Sequence, residues 1–285
     1  MYLQDTTGYW SVRGANLALS RPLMMGVVNI TPDSFSDGGR FFEADRALAH
    51  AQQLIDEGAD IIDLGGESTR PGAAPIPPEE ELRRVLPLVR ALRDCGVPLS
   101  VDTSRPEVMR AALEAGAAIV NDVRALTEPG ALDAAANSTC GIVLMHMRGA
   151  PRSMQTDPRY ADVVSDVVEF LRQRRDAAVA SGVARERIVL DPGFGFGKSV
   201  AHNYTLLKRL DALCALGQPV LAGLSRKSML GAVSGRDVGA RVFASVAAAV
   251  IAVERGARIV RVHDVAATRD ALSVLQATEQ EGAMG

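Results

Sequence analysis

Eight short apolar runs, each ending in a polar or charged residue, alternate with eight segments of helical periodicity along 285 residues. Together they predict the α/β class and, within it, a single (β/α)8 or TIM barrel. Parallel strands buried on both faces read as continuous apolar runs. Eight strand–helix pairs at this chain length suit closure into one barrel better than an open sheet. A weak internal repeat supports the alternation. Glu57-Gly58-Ala59-Asp60-Ile61-Ile62, Glu114-Ala115-Gly116-Ala117-Ala118-Ile119-Val120 and Glu254-Arg255-Gly256-Ala257-Arg258-Ile259-Val260 each close a helix, supply a Gly able to take φ > 0, and open a strand.

Residues 1–22 fall outside this rhythm and are expected to form a hairpin or plug at the barrel bottom; the whole chain, 1–285, reads as one domain. The first run, Val27-Val28, stops at Asn29, and a helix is predicted over 42–57. Ile61-Ile62-Asp63-Leu64 runs into Gly65-Gly66-Glu67-Ser68-Thr69-Arg70, ahead of a helix over 78–94. Leu99-Ser100-Val101 ends at Asp102 before helix 106–114, and Ile119-Val120 ends at Asn121-Asp122 before helix 130–136. Ile142-Val143-Leu144-Met145 ends at His146 before helix 160–181, and Ile188-Val189-Leu190 ends at Asp191 before helix 203–215. Val220-Leu221-Ala222 leads to Ser225-Arg226-Lys227 and helix 236–255; Ile259-Val260 ends at Arg261 and continues to His263-Asp264 before helix 268–280. Two connections, 31–41 and 65–78, are long for βα loops and rich in Gly, Pro, Ser and Asp. Loops of that length in a compact domain are commonly functional, and both emerge where the strand-end polar residues collect, over the expected active site.

Composition narrows the partners. A hydrophobic fraction of 47% supports a sizeable core, and a net charge of −3 gives no general reason to bind nucleic acid or an acidic membrane. Aromatics at 4% are too few for extended base stacking. Any anion must then be held by a local cluster. Cys95, Cys140 and Cys214 are isolated and without ligand spacing, which reads as buried thiols in a reducing compartment. The first 14 residues lack a basic segment leading into an apolar one, and the apolar stretch 243–253 is too short to span a bilayer. A cytoplasmic protein is expected.

Polar residues at the carboxyl ends of barrel strands read as catalytic. Here they are Asn29, Asp102, Asn121, Asp191, Lys227, Arg261 and His263. Carboxylates and amides that accept and donate in one plane suit a flat heterocycle with an amino-amide edge, and burying them empty would be costly. The competing reading makes Asp102 and Asp191 helix caps. Arg261-Val262-His263 puts two potential cations on one face of the last strand, where barrels often bind phosphate. Asp191-Pro192-Gly193-Phe194-Gly195-Phe196-Gly197-Lys198-Ser199 invites a P-loop reading but fails it, because Pro192 stands where the first Gly is needed. Its glycines let the loop pass close to a ligand, with Phe194 or Phe196 as an aromatic wall. No zinc-protease or nucleophile-elbow motif occurs. Mg2+ held mainly by substrate phosphates fits better than a protein-ligated transition metal, and Asn29 could supply one oxygen.

These stretches carry a resemblance. Gly26-Val27-Val28-Asn29-Ile30-Thr31-Pro32-Asp33-Ser34-Phe35-Ser36-Asp37-Gly38-Gly39 resembles the first signature of the dihydropteroate synthases, and Asp63-Leu64-Gly65-Gly66-Glu67-Ser68-Thr69-Arg70-Pro71-Gly72 is similar to their second. Ser100-Val101-Asp102-Thr103, Val120-Asn121-Asp122-Val123, Met145-His146-Met147, the 191–198 stretch, Ser225-Arg226-Lys227-Ser228 and Arg261-Val262-His263-Asp264 extend the likeness from about Pro22 to the end. The resemblance implies condensation of 6-hydroxymethyl-7,8-dihydropterin pyrophosphate with 4-aminobenzoate to 7,8-dihydropteroate and pyrophosphate. It implies that Asp102, Asn121, Asp191 and Lys227 hold the pterin, with Val123 and Met145 flanking it and Gly223 close by. It implies pyrophosphate and Mg2+ at Asn29, Arg261 and His263 near Ser68 and Thr69. It further implies a 4-aminobenzoate pocket of Phe35, Thr69, Arg70, Pro71, Phe196, Lys227 and Ser228. Asn29, Arg261, His263 and Lys227 would carry catalysis, sulfonamides would inhibit, and the chain would form a homodimer through its last Ala-rich helices. Two rivals remain at this stage: a pterin-dependent methyltransferase, which has no pyrophosphate to hold, and a non-catalytic pterin-binding paralogue.

Overall fold

The computed structural model describes residues 8–30, 40–68, 72–149, 154–156 and 158–279, with the side chains of 40–43 excluded. Eight parallel strands form one sheet: β3 (Leu23–Asn29), β4 (Ile61–Gly65), β5 (Leu99–Asp102), β6 (Ile119–Asp122), β7 (Gly141–Met145), β8 (Ile188–Asp191), β9 (Leu221–Ala222) and β10 (Ile259–Val262). Each is the apolar run named above. The order β8-β7-β6-β5-β4-β3-β10-β9 is closed by a parallel bridge between Leu190 and Val220 and by Leu190 N–H donating to the Pro219 carbonyl at 3.0 Å. The result is the (β/α)8 barrel that the alternation predicts. Burial on both faces explains the runs: β4, β6, β7 and β8 are buried at every residue.

Between the strands run α1 (Arg40–Asp56), α2 (Pro78–Leu92), α3 (Pro106–Ala115), α4 (Ala131–Ala136), α5 (Val163–Ala180), α6 (Val200–Lys208), α7 (Asp211–Cys214), α8 (Ser228–Ser234), α9 (Val242–Glu254) and α10 (Val265–Glu279). Local chemistry sets their ends. Pro78 opens α2 with Glu79, Glu80 and Glu81 in the first turn, where acidic groups meet the positive end of the helix dipole. Asp162 caps α5 by accepting from the Ser165 N–H, and Ser199 and His202 form a reciprocal capping box on α6. Two predicted helices differ. Residues 203–215 form two helices, because the chain leaves helical geometry at Arg209. Residues 236–255 are helical only from Val242, after a one-turn 3-10 segment; a further helix, α8, stands ahead and ends at Gly235 with φ 66°.

Ahead of the barrel, β1 (Tyr9–Val12) pairs antiparallel with β2 (Ala15–Ala18). Trp10 and Val12 are buried with Leu23, Met25, Ile61, Ile119, Val143, Val189, Leu221 and Ile259, the inward residues near the strands' amino ends. Trp10 Nε1 donates to the Arg187 carbonyl at 2.9 Å. Gly141 makes the fit possible, since a Cβ there would lie 2.7 Å from Val12 Cγ1 and 3.0 Å from the Trp10 ring. The hairpin therefore stops the barrel at the end opposite the polar rim. Among the described residues, no helix is long and apolar enough to cross a membrane.

Candidate active site

The centre of the rim is a buried ion network. Asp63, fully buried on β4, accepts from Arg261 Nε at 2.6 Å and from Asn121 Nδ2 at 3.1 Å through one oxygen. Its other oxygen, Oδ1, is buried without a hydrogen-bond partner. Arg261 Nη2 reaches Asp102 Oδ2 at 3.1 Å. One guanidinium thus ties β10 to β4 and β5, and Asp63 adds β6. Burial works against the charge of Arg261, but Asp63 and Asp102 outweigh it and raise its pKa. Burial pushes Asp102 up to about 7 against the pull of Arg261, with Asp63 adding repulsion. α3 begins at Pro106, and Arg105 before it marks its start with no side-chain cap, so Asp102 is not spent as one. Asn29 stands at the neighbouring strand end; a Cβ on Gly65 would lie 3.3 Å from Asn29 Oδ1 and 3.9 Å from Asp102 Cβ.

Asp191, at the end of β8, is also raised by burial, which its bond from the Gly193 N–H at 2.7 Å and the charges of Lys227, Lys198 and Arg261 oppose. That N–H bond is a turn contact and not the helix cap of the competing reading, since α6 is capped by Ser199. Burial, then Arg261, brings Lys227 down to about 8, while Asp191 and Asp102 work the other way. The Lys227 ammonium lies 4.2 Å from the centre of the Phe196 ring. Phe196 packs with Val123, Met145 and Met154 in a small apolar cluster beside the polar network. Gly223 stands next to Arg261; a Cβ there would make only ordinary contact with Arg261 Cβ at 3.8 Å.

His263 corrects one expectation. Burial, then Arg261 and Arg226, holds its pKa down at about 3, so near neutral pH it is an uncharged ring rather than a second cation. Ser225 Oγ accepts from the His263 backbone N–H at 3.2 Å and faces Nδ1 at 3.0 Å. With Ser225 donating to Nδ1, the ring proton stays on Nε2, the tautomer that still donates to an anion. Arg226, at φ 58°, pairs with Asp264 at 2.6 and 3.1 Å. Ser228 is exposed at the start of α8, and Ser68 lines a cleft of about 520 Å3 beside Val123. Phe35, Thr69, Arg70 and Pro71, and most of the 31–41 connection, lie outside the described residues.

Asp63 and Ser225 carry geometry that the strand-end argument missed. The signal for Asp63 was present: a carboxylate inside an apolar run must find a buried partner. Asp122, by contrast, is a loop former. It accepts from Ser104 Oγ at 2.5 Å, Arg124 N at 2.8 Å and Leu126 N at 2.7 Å, which supports the left-handed Ala125 and Leu126.

The model of the pterin-binding enzymes matches residues 25–263, a span that opens on β3 and closes on His263. The dihydropteroate synthase of Haemophilus influenzae is 52% identical over 265 residues, covering 92% of this chain and 96% of that protein. The chain belongs to the dihydropteroate synthase family of pterin-binding enzymes. Solved dihydropteroate synthases share its shape. That of Xanthomonas albilineans with 4-aminobenzoic acid superposes with a TM-score of 0.92 at 53% identity, over 96% of this chain and 99% of the other. That of Yersinia pestis with a sulfonamide gives 0.91 at 50% identity, over 95% and 99%. A dihydropteroate synthase is a transferase of folate biosynthesis, and the polar rim is where its pterin site is to be sought.

Proposed function

We propose that the rim pocket carries out the dihydropteroate synthase reaction with a defined division of labour. The substrates are 6-hydroxymethyl-7,8-dihydropterin pyrophosphate and 4-aminobenzoate; the products are 7,8-dihydropteroate and pyrophosphate. The observation that carries the assignment is the Asp63–Arg261–Asp102 network beside Asp191 and Lys227. Asp102 and Asp191 are carboxylates that burial drives toward the neutral form. Neighbouring N–H donors on a flat ring relieve that penalty, and the amino-amide edge of a pterin presents them. Asn121, fixed by Asp63, supplies a further polar contact; Val123 and Met145 flank the ring, and Gly223 lets it approach.

The diphosphate goes to Arg261, His263 and Asn29, and the resemblance adds Ser68 and Thr69. As the bond from the pterin methylene to the diphosphate oxygen breaks, its electron pair leaves on oxygen, and the Arg261 charge and the His263 N–H stabilise it. The dihydropterin ring spreads the positive charge left on the methylene. The neutral amine of 4-aminobenzoate then attacks that carbon, a C–N bond forms, and the nitrogen gives its proton to water. No strong base is required; positioning and charge stabilisation supply the rate. Among the described residues no cluster of three His, Cys, Asp or Glu forms a metal site. The hard, neutral Oδ1 of Asn29 suits Mg2+ that takes most of its ligands from the diphosphate. When bound, that ion would neutralise leaving-group charge.

Phe196, Lys227 and Ser228 form the described side of the 4-aminobenzoate pocket, and the resemblance adds Phe35, Thr69, Arg70 and Pro71. Sulfonamides share the aniline of 4-aminobenzoate and should compete there, in keeping with the Yersinia pestis complex. Phe243, Val238 and Val233 are exposed apolar residues around α8 and α9, and we assign this face to a second copy in a homodimer. The three free thiols suit a cytoplasmic location.

Purified protein with both substrates and Mg2+ should release pyrophosphate and dihydropteroate one for one. Pterin binding without turnover would support the paralogue reading, and turnover needing no diphosphate would support the methyltransferase. In a folded Arg261→Ala variant kcat/KM should fall more than tenfold, with about 1.4 kcal/mol per factor of ten; unchanged turnover removes its role.

A further inference from the structure

Lys198 is a buried amine that the reaction above leaves without a task; its residue exposure is 2%, and burial brings its pKa down to about 7 against the pull of Asp191. Its ammonium lies 2.9 Å from His146 Nδ1, 2.9 Å from the Gly193 carbonyl and 3.0 Å from the Phe196 carbonyl, with the His146 carbonyl at 3.3 Å. An ammonium carries three N–H groups, and three acceptors at bonding distance satisfy all of them. In its protonated form, with its donors so fully used, Lys198 holds its surroundings in one arrangement.

What it holds is the β8–α6 loop. Gly193, Gly195 and Gly197 take φ 68°, 81° and 63°, and the loop lies flat on the β7–α5 backbone: a Cβ on Gly193 would fall 1.9 Å from the His146 carbonyl oxygen, and one on Gly197 2.2 Å from that of Arg148. Phe194 is rooted in the main core, whereas Phe196 belongs to the small cluster at the mouth. The Asp191 backbone and Phe196 are fixed by different means, although the Asp191 carboxylate also accepts from the Gly193 N–H. Asp191 is in register with Met145 across the sheet, and its carbonyl accepts from the His146 N–H at 2.9 Å. Phe196 lies beyond the strand; its carbonyl is held by Lys198, and its N–H donates to Gly193, whose carbonyl Lys198 also holds.

We propose that Lys198 is a positioning residue for the aromatic amine: by pinning the Gly193 and Phe196 carbonyls against His146, it fixes the Phe196 ring beside Lys227 without touching either substrate. The inference rests on reading Phe196 as a wall of the 4-aminobenzoate pocket. The effect falls more on the aromatic amine than on the pterin, because loss of the ammonium loosens Phe196 while the strand ladder still holds the Asp191 backbone, whose carboxylate loses only the Lys198 charge and part of the support behind its Gly193 contact.

The test is steady-state kinetics of Lys198→Met, His146→Gln and Phe196→Ala with each substrate varied in turn. Lys198→Met should raise KM for 4-aminobenzoate by about fivefold or more while KM for the dihydropterin pyrophosphate stays within about twofold. His146→Gln replaces the fixed ring Nδ1 with a flexible amide and should shift the same KM by less, which keeps the test open if Lys198→Met does not fold. Phe196→Ala tests the underlying reading: an unchanged KM for 4-aminobenzoate discards the wall itself. If Phe196→Ala raises that KM and folded Lys198→Met does not, the wall stands and the role of Lys198 is overturned. Equal rises in both KM values with Lys198→Met mark a merely structural lysine and overturn it too. With Lys198→Met unfolded, an unchanged KM for 4-aminobenzoate in His146→Gln also overturns it.

Discussion

Removing the fully buried Asp63 carboxylate leaves the partly buried Arg261 guanidinium with Asp102 as its remaining carboxylate partner. Breaking a buried pair from one side typically costs about 3–5 kcal/mol, so Asp63→Ala should lower the denaturant midpoint by a corresponding amount and weaken pterin binding by calorimetry. An unchanged midpoint would mean that water or another group takes up the Arg261 charge. A second prediction concerns pH. Asp102 can accept donors on both oxygens only when ionised, and burial places its folded pKa at about 7, above its ordinary 3.8. Ionising it therefore disfavours the empty fold increasingly as pH rises from the ordinary carboxylate range through 7, and the penalty is complete above 7. Pterin affinity runs the other way: it should fall as pH drops below 7, by up to about tenfold per unit for one linked proton. Titrations at several pH values should show this slope in the wild type and lose it in Asp102→Asn. Asp102, Asn121, Asp191 and Arg261 were legible because each interrupts an apolar run at its end. The neutral state of His263 was not, since burial and the nearness of Arg261 and Arg226 arise only after folding.

The β8–α6 loop shows how an element can be right in outline and hidden in detail. Its alternating glycines announced a close approach, but the surface approached, the backbone of His146 and Arg148, lies about 50 residues earlier in the chain and required the fold. Gly193→Ala would force a Cβ onto the His146 carbonyl at φ 68° and should abolish activity or folding. Gly217→Ala, at φ 79° with nothing within 4 Å, should cost only the backbone strain of about 1–3 kcal/mol and leave KM unchanged. Thermal melts and kinetics of the pair separate contact from strain; equal losses would mean that the loop does not rest on β7. The strands were readable because continuous apolar runs have one cheap solution, a two-sided parallel sheet. The break between α6 and α7, and the separate α8, were not, because short helices packed end to end keep nearly the same periodicity as one long helix.

At the scale of the molecule, closure joins a stopped end to an open, polar one. Trp10→Ala at the stopped end should cost about 3–5 kcal/mol of stability by denaturant titration and leave both KM values unchanged, because the hairpin lies across the barrel from the rim. The barrel itself was legible from eight alternations; that its rim charges form one connected network across β4, β5, β6 and β10 was not, because side chains from four separated runs meet only on closure. The most direct test of the account is a crystal structure of the protein with dihydropterin pyrophosphate bound. It should show the pterin edge on Asp102, Asn121 and Asp191 and the diphosphate reaching Arg261 and His263. A pterin seated in the cleft beside Ser68 and Arg105, with Asp102 and Asp191 untouched, would contradict it.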